Sequence, residues 1–324
     1  MGSTLSTPPP AADAAAADAE PRVTPASEPT AKTRAPPSPP RENDSDSHDG
    51  ARQTAQHQTQ VPSQQQPTPP PSPSPDTYTF PTNKLKRRLT QPGKTPLVLV
   101  ACGSFSPITK LHVQMFELAA RHVPRTEFEI VGNYLSPCSD AYNKASLVPA
   151  HHRLQMCALA VDGLPIHVDD WEATRVDAAG RPLYSRTADV LRHFDSAVND
   201  ALGGGVVAGV GVDGTSRLRR ARIVLLIGAD LALTMSNPRV WAPADIDVLL
   251  GYYGAFVVER PHQCDVRDAI APLQKYHTNI WVVDAFENDV SSTKVRAQIQ
   301  NREQSIDIPG AVFKYIKLHR LYLE

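Results

Sequence analysis

The sequence predicts an α/β fold, a doubly wound and mostly parallel sheet, preceded by a disordered amino-terminal tail. Apolar runs suited to strands alternate with stretches of helical periodicity, which is the pattern of parallel βαβ units. Several runs, such as residues 222–227, are apolar almost throughout, as strands buried on both faces are. Residues 1–77, in contrast, hold 17 of the 31 prolines and no Phe, Tyr or Trp.

A segment without aromatic residues buries too little apolar surface to offset the entropy lost on ordering it. We therefore expect a disordered Pro/Ser/Gln-rich tail over residues 1–84 and one folded domain over residues 85–324, long enough for a substantial core. Within the domain, residues 202–220 are rich first in glycine and then in arginine. Because three consecutive glycines at 203–205 favour no regular element, we expect a mobile surface insertion there.

The elements follow one another in a regular order. Each predicted strand is a short apolar run that ends at glycine or polar residues, and the helices carry apolar residues three and four positions apart. The predicted strands are residues 96–102, 127–131, 166–168, 222–227, 254–260 and 279–283. The predicted helices lie around residues 111–119, 148–159, 190–194, 245–252, 291–299 and 309–321.

Composition and charge exclude several classes of protein. A net charge of −1 gives no global electrostatic reason to bind nucleic acid or a membrane surface. The four cysteines are widely spaced, which indicates reduced residues in a reducing compartment. No apolar run approaches the length of a membrane span, and no signal-peptide region follows Met1. We expect a soluble intracellular protein, nuclear or cytoplasmic.

Two short features near the amino terminus have more than one interpretation. The basic cluster at residues 84–88 is either a nuclear-import signal or a solvated linker. The stretch that begins Met1-Gly2 fits a permissive myristoylation pattern, which leaves acylation open. The sequence also leaves homo-oligomerisation open.

The most informative stretch is Gly103-Ser-Phe-Ser-Pro-Ile-Thr-Lys-Leu-His112, which follows the first predicted strand. A tight turn from strand to helix presents backbone N–H groups and the positive end of a helix dipole, and so favours an anion such as phosphate. His112 lies about one turn into the helix and can stabilise charge at the same place. The turn lacks the Gly-Lys-Ser/Thr of a P-loop and the Gly-x-Gly-x-x-Gly of a dinucleotide turn.

A second phosphate-binding pattern lies at Val290-Ser-Ser-Thr-Lys-Val-Arg296, where a helix begins shortly after a strand. Ser291 or Ser292 can cap this helix. Ser292 and Arg296 are four residues apart and share a helix face, so a hydroxyl and a guanidinium can hold one phosphate chain. Taken alone, the pattern also fits an ordinary capped helix with a surface arginine.

Polar groups follow three predicted strands, at Gly103–His112, Gly228–Asp230 and Asn288–Arg296. Ligands of open α/β sheets bind outside the carboxyl ends of the strands, where neighbouring strand ends meet. We therefore expect these three groups to share one crevice.

Together these stretches resemble the eukaryotic nicotinamide mononucleotide adenylyltransferases, of the fungal type, within the nucleotidyltransferase superfamily. The resemblance covers nearly all of residues 96–324 except the glycine-rich insertion. Its landmarks are Gly103-Ser-Phe-Ser-Pro-Ile-Thr, Tyr134-Leu-Ser-Pro, Pro149-Ala-His-His-Arg, Trp171-Glu172, Gly228-Ala-Asp230, Pro238-Arg-Val-Trp241, Tyr253-Gly-Ala-Phe-Val-Val-Glu-Arg260 and Ser291-Ser-Thr-Lys-Val-Arg296. It implies a Rossmann-like nucleotidyltransferase domain over residues 85–324.

The resemblance also implies roles for individual residues. His112, Arg296 and Lys144 would be catalytic, with Lys144 near the mononucleotide phosphate. The ATP and phosphate site would comprise Gly103, Ser104, Phe105, His112, Asn288, Ser292, Thr293 and Arg296. The mononucleotide or NAD site would comprise Ser104, Lys144, Trp171, Glu172, Thr174, Gly228, Asp230, Val240 and Trp241, with the two tryptophans clasping the nicotinamide ring. No residue is assigned as a metal ligand.

Some of these assignments have structural alternatives. Trp171 and Trp241 could be core residues, Asp230 a helix cap and Lys144 a solvated loop lysine. Many relatives carry a basic residue and a glycine after the lysine matched to Lys144, whereas this chain has Ala145-Ser146. Ser106 replaces the asparagine of some relatives, and we treat that change as neutral.

The implied reaction is the transfer of AMP from ATP to nicotinamide mononucleotide, giving NAD and pyrophosphate, with nicotinic acid mononucleotide as a further acceptor. Mg²⁺ would be held mainly by the ATP phosphates and water, since no carboxylate cage is visible in the sequence. The alternatives are another adenylyl- or cytidylyltransferase of the same fold, and a chaperone-like binding module that retains a nucleotide site.

Overall fold

A six-stranded sheet, parallel throughout, forms the centre of the computed structural model, which describes residues 78–210, 215–260, 264–284, 290–303 and 306–323. Its strands are β1 (Thr95–Gly103), β2 (Phe128–Pro137), β3 (His167–Val168), β6 (Arg222–Gly228), β7 (Ala255–Val258) and β8 (Ile280–Val283), with β4 (Val206–Val210) and β5 (Ser216–Arg219) forming a separate two-stranded sheet. The order across the large sheet is β3-β2-β1-β6-β7-β8. The chain therefore winds outward from β1 in both directions, which confirms the doubly wound fold.

Helices cover both faces of this sheet. They are α1 (Lys110–His122), α2 (Ala150–Ala160), α3 (Trp171–Thr174), α4 (Thr187–Ala201), α5 (Ala229–Thr234), α6 (Pro243–Ile246), α7 (Val266–Ile270), α8 (Ser292–Gln300) and α9 (Gly310–His319). Single turns of 3₁₀-helix lie at Val123–Arg125 and Asp140–Tyr142, a longer 3₁₀ stretch at Ala271–Asn279 and a π-helical stretch at Asp247–Tyr253. None of the helices in the described ranges is long and apolar enough to cross a membrane.

The alternation of side chains along β1 explains why its sequence is continuously apolar. Val98 and Val100 belong to a core cluster shared with α4 and α5. Leu97 and Leu99 belong to a second cluster on the other face, shared with α1, α8 and α9. Because successive residues point to opposite faces and both faces are covered, residues 96–101 of the strand are all buried.

The glycine-rich insertion contains two strands, so the expectation that residues 202–220 form no regular element was wrong for the described part, and the mobility of the insertion stays a prediction. β4 and β5 pair antiparallel, and the chain before β1 adds to them, since Leu89 donates its N–H to the Val207 carbonyl at 2.9 Å. Gly205 has a φ of 157°, and a Cβ there would lie 2.6 Å from the Arg219 carbonyl oxygen. The glycines thus permit a close backbone turn into β4. Residues 211–214 lie outside the described part.

The boundary of the tail also differs from the prediction, because residues 78–84 pack against the domain. Phe80 stacks on Tyr134 with ring centroids 5.1 Å apart, and Tyr134 donates its hydroxyl to the Pro81 carbonyl at 2.8 Å. Lys84 donates its backbone N–H to His167 at 2.9 Å and its ammonium to the Ile166 carbonyl. Tyr78 and Phe80 supply the aromatic surface that residues 1–77 lack; residues 1–77 themselves lie outside the described part.

Gly254, just before β7, allows a test of how closely the chain packs between β7 and β8. Its φ is 87°, and a Cβ there would lie 2.7 Å from the Asn279 carbonyl oxygen. Gly163 has a φ of 71° but no atom within 4 Å of such a Cβ, so it controls for strain alone. We expect Gly254→Ala to lower the free energy of unfolding by roughly 2–4 kcal/mol and Gly163→Ala by about 1 kcal/mol. Urea titration measures both, and equal losses would contradict the close approach.

Candidate active site

The strand order places a crevice between the carboxyl ends of β1 and β6, where the winding of the sheet reverses. A cavity opens there, and both strand ends line it. Its lining residues are Ala101–Phe105 and Leu226–Gly228 together with His112, Met115, Leu231 and Arg260. Two of the three predicted groups, at Gly103–His112 and at Gly228, therefore do meet.

Glycine at each of the two strand ends allows neighbouring side chains to lie close to the backbone of the crevice. A Cβ on Gly228 would lie 2.3 Å from a carboxylate oxygen of Asp230 and 3.0 Å from Nε of Arg260. A Cβ on Gly103 would lie 3.2 Å from the ring of Phe105, which is buried and has a φ of 45°. Glycine at these two positions therefore leaves room for the side chains of Phe105, Asp230 and Arg260, which lie close to the backbone there.

The ring of His112 is oriented by the turn that precedes α1. Its Nδ1 accepts the Thr109 backbone N–H at 3.0 Å and lies 2.9 Å from the Thr109 hydroxyl, so the pair caps the helix reciprocally. Because Nδ1 is an acceptor, the neutral ring carries its proton on Nε2. The ring also stands edge-on to Phe105 with centroids 5.2 Å apart. A donor with a fixed orientation thus lines the crevice at a positive helix end.

Helix α8 is bound directly to the turn between β1 and α1. Arg296 donates to the Ser106 carbonyl at 2.8 Å and to the Thr293 hydroxyl at 2.9 Å. Ser292 is buried and donates its hydroxyl to the Pro107 carbonyl at 2.8 Å, while Ser291 is the residue that caps the helix. The structure therefore places Arg296 and Thr293 beside the turn, and the Ser292 hydroxyl anchors the helix to it, while the predicted contact of Ser292 with phosphate stays a prediction.

Ser106 also holds the segment that carries Lys144. Its hydroxyl donates to the Ser146 carbonyl at 2.8 Å, accepts the Val148 backbone N–H at 3.2 Å, and lies 3.0 Å from the Tyr322 hydroxyl. Lys144 is half-buried on this segment, between β2 and α2. Treating Ser106 as a neutral replacement underestimated it, because its backbone and side chain contact three separate parts of the chain.

A buried arginine that we had not assigned to the site braces the same segment. Arg153, at 0% exposure, donates to the carbonyls of Ser104, Cys138 and Val148 and to the Asp140 carboxylate at 2.7–3.1 Å. The sequence showed the motif Pro149-Ala-His-His-Arg153 but predicted no role for Arg153. That role depends on contacts with residues up to 49 positions away in the chain.

A second missed arginine lies on the other side of the crevice. Arg260 is buried, donates to the Val290 carbonyl at 3.2 Å and lies 3.5 Å from the Asp230 carboxylate. It joins the end of β6 to the start of α8. Its position as the last residue of the predicted strand at 254–260 was the available signal. Asn288, expected on the adenosine side, lies outside the described residues.

The acidic segment after β3 carries Trp171, which is half-buried at the start of α3. Its indole stacks on His193 with centroids 4.1 Å apart and planes inclined by 3°, and the Arg175 guanidinium lies 4.7 Å from the ring centroid. Thr174 is exposed and donates its hydroxyl to the Asp170 carbonyl. Trp171 therefore packs against the edge of the core and is only partly buried.

Glu172, the next residue, is a buried acid. It accepts the Ser136 hydroxyl at 2.8 Å and is 5% exposed. Burial raises the pKa of Glu172 to about 8, with the charge of Asp169 adding to the effect and the Ser136 hydrogen bond and Arg153 opposing it. The side chain is consequently a neutral hydrogen-bonding group around pH 7.

Trp241 differs from Trp171 in its surroundings. It is 1% exposed within the core, where its indole N–H donates to the Thr234 hydroxyl at 3.0 Å, and Val240 beside it is half-buried. It lines a separate cavity with Met235, Pro238 and Tyr276 rather than the crevice at β1 and β6. The structure thus supports the core interpretation of Trp241, and a clasp of two tryptophans stays a prediction.

Comparison with known proteins agrees with this geometry. Residues 100–298, more than half of the chain, match the family model described as cytidylyltransferase-like. The nicotinamide/nicotinic acid mononucleotide adenylyltransferase of Arabidopsis thaliana is 33% identical over 254 residues, which cover 75% of this chain and 97% of the relative. The chain belongs to this family of adenylyltransferases.

Fungal members of the family are more similar in sequence but longer. Nicotinamide/nicotinic acid mononucleotide adenylyltransferase 1 of Saccharomyces cerevisiae is 43% identical over 256 residues, covering 76% of this chain and 60% of the relative. The Schizosaccharomyces pombe relative is 41% identical, with 76% of this chain and 65% of that protein covered. The chain thus spans about 60% of the length of these fungal relatives.

The raised pKa of Glu172 leads to a prediction on stability. The folded state holds this proton up to about pH 8, whereas the unfolded chain releases it near 4.5, so the wild-type protein loses stability as pH rises through this window. We expect Glu172→Gln, which removes the titration, to match wild type at pH 4.5 and to be more stable by roughly 2–4 kcal/mol at pH 8.5.

Urea unfolding at both pH values measures this difference, with Glu303→Gln, at an exposed position, as the control. If the free energies of unfolding of Glu172→Gln and wild type differ by the same amount at both pH values, Glu172 is ionised in the folded protein and the prediction is wrong.

Proposed function

We propose that this protein transfers AMP from ATP to nicotinamide mononucleotide, with nicotinic acid mononucleotide as a further acceptor. A phosphate oxygen of the mononucleotide attacks the α-phosphorus of ATP, and the bond from that phosphorus to the bridging oxygen of the β-phosphate breaks. The products are a dinucleotide and pyrophosphate. Because the mononucleotide phosphate is already anionic, the reaction needs no protein nucleophile and no general base.

The catalytic work is then alignment of the two phosphates and stabilisation of the charge on the departing pyrophosphate. His112 offers a proton on Nε2 at a helix amino terminus, and Arg296 offers a planar guanidinium. In this proposal both groups bind the ATP phosphates, and Lys144 approaches the phosphate of the mononucleotide. The bond from Arg296 to the Ser106 carbonyl is the observation that carries the proposal, because it fixes Arg296 to the same turn as His112.

The acceptor is inferred from the relatives and from the Trp171 segment. The fungal and plant relatives are named as adenylyltransferases of nicotinamide and nicotinic acid mononucleotides. Trp171 supplies a partly exposed flat ring, and the neutral Glu172 lies next to it in the chain. Neutral Glu172 can donate a hydrogen bond to an amide carbonyl or to a carboxylate, which favours neither acceptor strongly.

Nucleotidyl transfer generally requires a divalent cation with the nucleotide, and we propose Mg²⁺. Among the described residues, no three His, Cys, Asp or Glu side chains are grouped so as to hold a metal ion. In our proposal the ion is held chiefly by the ATP phosphates and water, the usual arrangement for Mg²⁺, which needs no such cluster of side chains. When bound, the ion would neutralise charge on the phosphates. His112, Arg296 and Lys144 bind and orient the phosphates in this scheme.

The proposal is tested by incubating the full chain with ATP and each acceptor and identifying the products by mass spectrometry. We expect a dinucleotide and pyrophosphate with nicotinamide mononucleotide. Parallel reactions with CTP in place of ATP, and with pantetheine phosphate as acceptor, address the other nucleotidyltransferases of this fold. Turnover confined to one of those substrates would overturn the proposal.

Arg296→Lys tests the placement of the triphosphate. Lysine keeps the charge but cannot form both bonds that Arg296 makes with Ser106 and Thr293, nor bridge two phosphate oxygens. We expect kcat/KM for ATP to fall roughly 10–100-fold, as the loss of a charged hydrogen bond does, while KM for the mononucleotide stays within about twofold.

Lys294→Arg, the converse exchange at an exposed position of the same helix, is the control and should leave both constants unchanged. In the reverse reaction, KM for pyrophosphate should rise in Arg296→Lys. An unchanged KM for pyrophosphate would mean that Arg296 does not contact the leaving group.

A further inference from the structure

The segment that leads into the domain, residues 78–84, contacts the side chains around Trp171 as well as the sheet. Tyr78 donates its hydroxyl to Oδ1 of Asp169 at 2.7 Å. Its oxygen also lies 2.9 Å from Nε2 of His193. His193 in turn stacks on the indole of Trp171. One hydroxyl therefore connects this segment with the face of a residue proposed to bind substrate.

Asp169 provides the fixed end of this connection. It is at 0% exposure, and its backbone N–H donates to the Leu135 carbonyl in β2 at 2.9 Å. Its Oδ2 has no hydrogen-bond partner within the described ranges, and Nε2 of His193 lies 3.6 Å from it. A buried carboxylate with so few donors depends strongly on each of them. The Tyr78 hydroxyl is thus held in place by Asp169.

The direction of the hydrogen bonds fixes the state of His193. Since the Tyr78 hydroxyl donates its single proton to Asp169, its oxygen can only accept from His193. His193 consequently carries a proton on Nε2, and its ring plane is set by that bond. The indole of Trp171 lies parallel to this plane within 3°. The orientation of His193 and that of Trp171 are therefore set together.

We infer that Tyr78 is a positioning residue for the mononucleotide: through His193, it fixes the plane of Trp171 on which the pyridine ring binds. Phe80 supports the arrangement, because it packs on Tyr134 and lies edge-on to His193 with centroids 5.9 Å apart. Two residues that precede the first strand, Tyr78 and Phe80, thus support the substrate site. This inference rests on the proposed function, since it assigns the effect to the acceptor half of the reaction.

Tyr78→Phe in the full chain tests the inference. Tyr78 is 38% exposed, so loss of its hydroxyl opens no cavity in the core. We expect KM for nicotinamide mononucleotide to rise roughly 3–10-fold, the net worth of an ordinary hydrogen bond, because the lost bond acts on the substrate only through His193 and Trp171. KM for ATP should stay within about twofold. Thr79→Val, at the exposed neighbouring residue, is the matched control and should change neither constant.

A double-mutant cycle separates positioning from general destabilisation. If Tyr78 acts through His193, the combined Tyr78→Phe and His193→Ala variant should raise KM for the mononucleotide no further than His193→Ala alone. Additive effects, or equal increases in the two KM values of Tyr78→Phe, would overturn the inference. Unchanged constants in Tyr78→Phe would overturn it as well.

Tryptophan emission provides a readout that does not depend on turnover. Each protein, wild type or variant, is also made with the additional change Trp171→Phe. The emission spectrum of this Trp171→Phe form is subtracted from that of the protein that retains Trp171, and the difference is the contribution of Trp171. We expect Tyr78→Phe to change this contribution and Thr79→Val to leave it unchanged; no change in either would contradict the coupling. Should the wild-type chain form no dinucleotide, the proposed function fails, while the emission experiment still decides whether Tyr78 orients Trp171.

Discussion

The turn at Ser106 and Pro107 connects the parts of the proposed active site. The Ser106 carbonyl accepts Arg296 from α8, and the Ser106 hydroxyl contacts the segment that carries Lys144. The Pro107 carbonyl accepts Ser292, which anchors the start of α8. Since His112 is oriented by Thr109, two residues further on, all three proposed catalytic groups depend on one short stretch of backbone.

This arrangement explains how an active site without a protein nucleophile can be preorganised. The fold supplies two strand ends at a point where the winding reverses, and glycine at each end lets neighbouring side chains pack closely against the backbone. The buried arginines at 153 and 260 then tie the flanking segments to those strand ends through carbonyls and carboxylates. Charge stabilisation of a leaving group is strongest when the donors do not need to reorganise during the reaction.

The sequence predicted the parts of the site that depend on local pattern. Gly103, His112 and Gly228 were predicted because strand ends and helix starts leave recognisable residues at short spacings. Ser106, Arg153 and Tyr78 could not be assigned in the same way, because their roles depend on partners 40, 49 and 91 residues away. The strands of the insertion were not predicted for a similar reason, since β4 is stabilised by backbone hydrogen bonds to the distant segment at residues 87–89.

Trp171 and Trp241 show a further limit of prediction from sequence. Both occur in stretches that resemble the family, yet one is partly exposed beside His193 and the other is enclosed in the core. Burial depends on which helices cover a position, and short motifs do not record it. The packing of residues 78–84 on the domain is likewise visible only in three dimensions.

The central claim is that the crevice between β1 and β6 directs attack at the α-phosphorus of ATP. The most direct measurement follows ³²P from ATP labelled at either the α- or the γ-position during incubation with nicotinamide mononucleotide. Adenylyl transfer predicts α-label in the dinucleotide and γ-label in pyrophosphate. Recovery of γ-label as orthophosphate or on the mononucleotide would place the attack at the γ-phosphorus and contradict the account.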